Sequence, residues 1–462
     1  MSIFTSTIAA ISTPPGKGGV ALIRISGENA FGVAERVFRP RGGRAVAEMP
    51  PRYAVYGDIY LGEDKIDDGI LTLYSAPNSY TGEDIAEISC HGGALITRTV
   101  LEAVLLAGAV PAEAGEFTRR AFVNGRLSLT EAEAIGNLLD AKSLAQITLA
   151  SSDSRGRLAR EIQAIRESLT SLLSSIYARI DYPDEDLGDF TDGESREILA
   201  KIRLRLERLI RSYRTGRAIN EGIDTVICGK PNVGKSTLYN LILGEDAAIV
   251  TDIEGTTRDI LERRVALSDV MLNLSDTAGI RESRDEVEKI GIERTRERIE
   301  KCELVLAVFD LSRPFDERDA ELASLLRESG KTVICILNKA DICDTGAAFD
   351  ASRLGALLKN SVKISARDGD ALELSALVAS LFTDGEINPR SDAIVASARQ
   401  NAALKEALYC IDCAIRAYDD GLPADLASGD IERALGAVAL LDGRAVADEV
   451  VSDIFAKFCV GK

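Results

Sequence analysis

Apolar residues alternate or form short blocks over the N-terminal quarter of the chain, then recur every three to four positions over long stretches. Thr7–Ile11 and Val20–Ile25 predict two strands flanking a glycine-rich loop, Pro14–Gly19. Further strand-like runs lie at Tyr53–Tyr60, Gly69–Tyr74 and Ile85–Ser89, and a helical pattern follows at Ala94–Ala107. From Phe117 the period lengthens. Thr130–Ala150 reads as an alanine- and leucine-rich helix, and Leu158–Ile180 repeats apolar residues at three and four. The acidic run Asp181–Asp186 interrupts this pattern, and another helix extends to about Arg217. Strands return at Ile223–Cys228, Met271–Asp276, Thr332–Leu337 and Ser361–Ala366; after Asn388-Pro389-Arg390 the helical spacing resumes almost to the end. The expected fold is a multidomain α+β chain. An N-terminal α+β domain spans 1–117, and a central helical bundle is built from 118–217 and 384–462. An α/β domain of the Ras-like type, 218–383, is inserted between the helices, with its two ends close together.

Composition narrows the class. The chain has 462 residues, 46% hydrophobic and 28% charged, as in a soluble globular protein with sizeable cores. No apolar run reaches membrane-spanning length, and the start lacks a signal-peptide pattern. Eight cysteines lie scattered in apolar segments without disulfide-framework spacing, so a reducing, cytoplasmic setting is expected. Cys410 and Cys413 form a lone C-x-x-C inside a helical pattern and read as ordinary buried residues. The net charge of −18 argues against a general nucleic-acid coat. A local exception is Lys201–Arg217, where basic residues dominate a helix; a solvated helix face is favoured there over an RNA contact.

The candidate chemistry centres on Gly229-Lys230-Pro231-Asn232-Val233-Gly234-Lys235-Ser236-Thr237, between a strand and a helix start. Gly229 and Gly234 let the backbone curl so that several N–H groups face one phosphate chain. Lys235 adds a point charge, and the Ser236 hydroxyl can ligate Mg²⁺. Asp276-Thr277-Ala278-Gly279 puts a carboxylate for water-mediated Mg²⁺ contact before a turn whose Gly279 amide can sense a γ-phosphate. Asn338-Lys339-Ala340-Asp341 follows a strand, and the Asp341 carboxylate can accept from guanine N1 and the 2-amino group. Ser365, Ala366 and Arg367 form a loop suited to closing on guanine O6. Four motifs in this order resemble the TRAFAC-class GTPases, so GTP and GDP are the expected nucleotides.

Further stretches extend the resemblance beyond this segment. Thr7–Gly19, Ser79–Gly93 (Ser-Tyr-Thr-Gly-Glu-Asp-Ile-Ala-Glu-Ile-Ser-Cys-His-Gly-Gly), Gly115–Leu129 and Phe458-Cys459-Val460-Gly461-Lys462 resemble the MnmE (TrmE) family of tRNA-modification GTPases over essentially the whole chain. The resemblance implies an N-terminal domain that dimerises and binds a tetrahydrofolate derivative, 5-formyl- or 5,10-methylene-tetrahydrofolate, as one-carbon donor. It also implies an FAD- and NADH-dependent partner, MnmG (GidA), in a heterotetramer. Together they add a carboxymethylaminomethyl-type group to C5 of wobble uridine in certain tRNAs. Arg24, Glu87, Arg126 and Lys462 match folate-contacting positions, with Arg126 where the family usually has lysine.

The family pattern also supplies a device for hydrolysis. Ile280 stands where Ras-like enzymes place a water-orienting glutamine and cannot polarise water. Glu288 matches the family's water-orienting glutamate, although Asp285 and Glu286 beside it also fit a solvated acidic helix. The resemblance implies K⁺ in place of an arginine finger, held by Asn232, Thr251, Ile253 and Thr256, with Thr257 as a second Mg²⁺ ligand beside Ser236. The nucleotide contacts expected are Asn232, Val233, Gly234, Lys235, Ser236 and Thr237; Thr251, Asp252, Ile253, Glu254, Gly255, Thr256 and Thr257; Asp276, Thr277, Ala278 and Gly279; Asn338, Lys339, Ala340 and Asp341; and Ser365, Ala366 and Arg367. Cys459 is either a catalytic thiol near the folate or a residue packed beside Phe455 and Phe458, and the resemblance favours catalysis. His91, the only histidine, is either an acid–base group beside the folate or a turn residue before Gly92-Gly93, the latter preferred. Outside this family, the alternative is an RNA- or ribosome-associated regulatory GTPase without modification chemistry.

Overall fold

The computed structural model describes residues 5–182, 190–245, 263–274, 296–342, 349–369, 371–443, 448–456 and 458–461. Two compact units emerge: residues 1–136, 153–189 and 428–462 in one, 137–152 and 190–427 in the other.

The first unit is built on a seven-stranded sheet. Its strands are β1 (Ile8–Ile11), β2 (Val20–Ser26), β3 (Phe38–Pro40), β4 (Val55–Leu61), β5 (Asp64–Tyr74), β6 (Ile85–His91) and β7 (Val110–Pro111), in the order β3-β4-β5-β6-β2-β1-β7. All pairings are antiparallel except β1–β7. Period-two alternation decides the faces. Ala21, Ile23 and Ile25 on β2 and Ala86, Ile88 and Cys90 on β6 point into a core closed by α1 (Ala30–Val37) and α2 (Ala94–Leu106). Residues between them, including Arg24 and Glu87, take the opposite face. Helix α3 (Glu116–Val123) ends the predicted α+β region.

Next along the chain come α4 (Leu129–Asp140), α5 (Leu144–Ser154), α6 (Arg157–Asp181) and α7 (Asp192–Asn220). The single helix expected over Thr130–Ala150 is therefore two. Ser143 caps the second through Oγ, which accepts from Gln146 N–H, while Gln146 Oε1 accepts from the Lys142 N–H. In α6 the buried residues Leu158, Ile162, Ile165, Leu169, Leu172 and Ile176 follow the expected spacing.

The second unit holds a six-stranded sheet. It comprises β8 (Ile223–Cys228), β9 (Arg263–Leu267), β10 (Val270–Leu274), β11 (Leu304–Asp310), β12 (Thr332–Asn338) and β13 (Ser361–Lys363), ordered β13-β12-β11-β8-β10-β9. Every pairing is parallel except the edge pair β9–β10. The central strand β11 is buried throughout because both faces are covered. Leu304, Leu306 and Val308 enter one core; Val305, Ala307 and Phe309 enter the other. Around it lie α8 (Lys235–Glu245), α9 (Glu317–Glu328) and α10 (Leu372–Phe382), followed by α11 (Ala398–Asp419) and α12 (Ala424–Asp442). Most of α12, from Ser428 onward, and the last helix, α13 (Asp448–Ala456), belong to the first unit.

The basic stretch of α7 meets acids. Arg203 pairs with Asp412 and Glu207, Arg208 with Asp392, Arg211 with Asp384 and Glu386, and Arg217 with Glu303. These contacts bind α7 to α11, to the segment after α10 and to the start of β11, in keeping with the non-RNA reading. Cys410 is buried and Cys413 half-buried in α11, both as free thiols.

Candidate functional site

The phosphate loop joins the end of β8 to the start of α8, so the loop's N–H groups and the positive end of the helix act at one point. The loop backbone is unusual at Gly229 (φ 148°), Asn232 (φ 63°) and Gly234 (φ 102°). A Cβ on Gly229 would lie 2.5 Å from the Val308 carbonyl oxygen, and one on Gly234 would lie 2.1 Å from Asn338 Nδ2. Glycine is therefore required at both positions. Lys235 is half-buried, and its Nζ donates to the carbonyls of Gly229 (2.8 Å) and Lys230 (2.7 Å). Burial draws its pKa below the ordinary lysine value. A half-buried ammonium resting on carbonyls, with no carboxylate beside it in those contacts, suits an incoming polyanion. Ser236 and Thr237 are exposed at the helix start, where the Ser236 hydroxyl can reach a cation carried by that anion. Asn232 is also exposed, so its side-chain oxygen is open to a monovalent cation.

Asn338 connects this loop to the loops that follow β12 and β13. It is buried at the end of β12, donates Nδ2 to the Val233 carbonyl (2.8 Å) and accepts at Oδ1 from the Ala366 N–H (2.9 Å). Its side chain is spent on tying two loops together. Lys339 (φ 62°) donates Nζ to Asp310 Oδ2 at 2.6 Å, which holds the Asp310 carboxyl below its usual range despite burial. Ala340 donates its N–H to the Ile364 carbonyl (3.1 Å), and Asp341 is exposed in the following 3₁₀ turn, Ala340–Ile342. Ser365 accepts at its carbonyl from the Gly369 N–H (2.7 Å), while Arg367 extends into solvent. The structure thus brings Asn232–Thr237, Asn338–Asp341 and Ser365–Arg367 to the C-terminal ends of β8, β12 and β13, the side where open α/β sheets bind ligands. Thr251, Asp252, Ile253, Glu254, Gly255, Thr256, Thr257, Asp276, Thr277, Ala278, Gly279, Glu288 and Lys462 lie outside the described residues.

A second site occupies the other unit. Arg24 on β2 and Glu87 on β6 are register partners, joined by Nε–Oε1 at 2.8 Å and each about one-sixth exposed. The Arg24 guanidinium lies 5.6 Å from the ring centroids of both Tyr80 and Phe117. Tyr80 and Thr118 hydroxyls are 2.9 Å apart, fixing one wall to α3. Arg126 is exposed, with its stem at Gly82, where an added Cβ would come within 3.1 Å of its Cγ. The tail reaches the same unit: Val460 bridges Ala114, Ser12 Oγ donates to the Gly461 carbonyl (2.9 Å), and Cys459 is exposed. Ser12 follows β1, the strand on which Ala10 pairs with Arg24. Phe455 and Phe458 pack in a tilted pair with centroids 5.6 Å apart, yet Cys459 beside them is exposed, so this aromatic packing does not bury the thiol.

His91 lies at the end of β6, four residues beyond Glu87, exposed, with Nδ1 2.7 Å from Asp67 Oδ1. That contact raises its pKa and makes it a strand-end partner of Asp67, not a neighbour of Arg24 in register.

Residues that the motif reading did not single out complete the second site. Tyr80 and Phe117 form its walls, and Arg120 on α3, fully buried, donates to Glu83 Oε2 (3.1 Å), Glu116 Oε1 (2.7 Å) and the Ser6 carbonyl (2.8 Å). Glu83 also accepts from Ser26 Oγ at 2.9 Å. The one sequence hint was Glu116 and Arg120 at helical i,i+4 spacing.

The family described as "GTP-binding protein TrmE N-terminus" matches residues 7–126, and "MnmE helical domain" matches residues 129–459. The protein "tRNA modification GTPase MnmE" of Acetivibrio thermocellus is 39% identical over 462 residues, covering 99% of each chain. Its namesake from Clostridioides difficile is 38% identical over 459 residues, again with 99% of each covered. That of Thermotoga maritima is 39% identical over 459 residues, covering 99% of this chain and all of the relative.

Proposed function

The chain belongs to the MnmE family of tRNA modification GTPases, and from that membership we propose a folate-using, K⁺-activated route to wobble-uridine modification. The protein binds GTP and GDP with Mg²⁺, hydrolyses GTP and acts in tRNA modification. Among the described residues no helix is long and apolar enough to cross a membrane. The finer reading assigns 1–117 to folate binding and dimerisation, 118–217 with 384–462 to the helical domain, and 218–383 to the G domain. It also assigns an FAD- and NADH-dependent MnmG partner, the heterotetramer formed with it, direct tRNA contact and a cytoplasmic setting.

The observation that carries the folate assignment is the Arg24–Glu87 pair between two aromatic rings. A carboxylate accepts from the amino and ring N–H donors of a pterin, and the neighbouring arginine holds that carboxylate in place through the 2.8 Å contact. Tyr80 and Phe117 limit water around the pair. A bound tetrahydrofolate derivative would supply the one-carbon unit, with Arg126 and Lys462 as further contacts and Cys459 as the adjacent thiol.

On the nucleotide side, Lys235 exchanges two carbonyl partners for phosphate oxygens when GTP enters, and Ser236, with Thr257, holds Mg²⁺. Glu288 orients the attacking water through a bridging water, because Ile280 cannot. Asn232, Thr251, Ile253 and Thr256 would hold K⁺, which would supply positive charge beside the phosphates when two G domains face each other and exclude water. The test for the folate site is a titration with 5-formyl-tetrahydrofolate. Arg24→Ala is expected to weaken binding by about tenfold or more, as losing a charged partner of a half-buried carboxylate costs over 1 kcal/mol. Equal affinity in the variant would remove Arg24 and Glu87 from the folate site.

A further inference from the structure

Lys230 is the second lysine of the phosphate loop, and the motif chemistry gives it no role. Its Nζ donates to Asp316 Oδ2 at 2.8 Å and to Asp319 Oδ2 at 2.7 Å. Both carboxylates belong to the N-terminal cap of α9, where Asp316 accepts from the Asp319 N–H and Asp319 accepts from the Asp316 N–H. The Asp319 side chain is only 3% exposed and that of Lys230 15%, so solvent screens the contact weakly. The Lys230 carbonyl meanwhile accepts from Lys235 Nζ. One residue fastens the loop to α9 through its side chain and receives the phosphate-binding lysine through its backbone.

This loop needs fastening. Gly229, Asn232 and Gly234 all hold positive φ, and Asn232 does so at a steric cost. Released, such a loop relaxes and its N–H groups no longer converge. Asn338 restrains the far side by donating to the Val233 carbonyl, and Lys230 restrains the near side. We propose that Lys230 is a positioning residue that keeps the phosphate loop in its nucleotide-ready shape before nucleotide arrives. Its loss then adds an ordering cost to binding, felt by GTP and GDP alike. The loss falls on KM and leaves kcat, because ground state and transition state share the same loop. The inference rests on the GTP-binding reading of this loop.

The test compares full-length wild type with Lys230→Met, which keeps an unbranched apolar stem and removes the charge. Fluorescent-GDP displacement gives affinity, and phosphate release gives kcat and KM. The expected result is a rise of about tenfold in the GDP dissociation constant and in KM, with kcat within about twofold. Lys230→Arg restores most of the affinity, since a guanidinium can span both carboxylates. Lys230→Met combined with Asp319→Asn loses little more than the worse single variant, as expected for one shared contact. A wild type that fails to bind GDP would overturn the nucleotide reading itself. A wild type that binds, beside a Lys230→Met variant of equal affinity, would overturn this inference alone. So would a variant that loses kcat at unchanged KM, or one whose affinity falls only in step with its folded fraction.

Discussion

Lys235→Ala is expected to lower GTP turnover by about 10²–10³-fold, the usual cost of deleting one preorganised charge or donor at a developing anion. The ammonium sits at the first turn of α8 on two loop carbonyls, and no other residue of the described loop puts a cation there. Removing it leaves the backbone N–H groups and the helix end in place. Nucleotide affinity falls less than turnover for that reason, since those dipoles still hold the phosphates. Folding changes little, because the two carbonyls lie in a half-exposed loop that water can reach. Phosphate release at saturating GTP, with thermal melting as control, checks the result. A variant that keeps its turnover within about threefold would show that the charge at this position does not act in the reaction.

The second large effect concerns folding. Arg120 is fully buried and donates to Glu83, Glu116, the Ser6 carbonyl and Ser6 Oγ. Arg120→Ala takes the Arg120 cation away from the buried Glu83 carboxylate and leaves a cavity where its own fully buried side chain stood. The expected loss is about 3–5 kcal/mol, as for other buried pairs broken from one side. Denaturant unfolding followed by circular dichroism measures it. Arg120→Met with Glu83→Gln removes both charges and loses less than the two single changes added together. A loss under about 1 kcal/mol for Arg120→Ala would contradict the network's role. Glu83 also reaches Ser26, two residues from Arg24, so partial unfolding here is expected to disturb the Arg24–Glu87 site, and with it the proposed folate binding, before global melting.

What the sequence revealed, and what it concealed, follows from the range of each interaction. The phosphate loop was legible because its chemistry is local: two glycines, a lysine and a hydroxyl within one turn. Strand β12 was legible because burial on both faces leaves an apolar run, Thr332–Leu337. Glu83 and Arg120 were not, since their contact joins residues 37 positions apart and nothing in either neighbourhood announces it. The arginines of α7 looked like a basic face because several of their acidic partners, Asp384, Glu386, Asp392 and Asp412, lie more than 170 residues away in the chain. The break between α4 and α5 had a readable signal, Ser143-Leu144-Ala145-Gln146: a serine followed three residues later by glutamine, masked by the surrounding alanines and leucines. Tyr80 and Phe117 acquire meaning only once the sheet register has put Arg24 beside them.

The most direct test of the account is GTP turnover by the purified full-length protein in KCl against NaCl at matched ionic strength. The account predicts stimulation by about tenfold or more in KCl, the scale of one well-placed charge in the transition state, and its loss in Asn232→Ala. Equal slow rates in the two salts, unchanged by Asn232→Ala, would contradict a potassium-assisted mechanism and leave the catalytic device of this GTPase elsewhere.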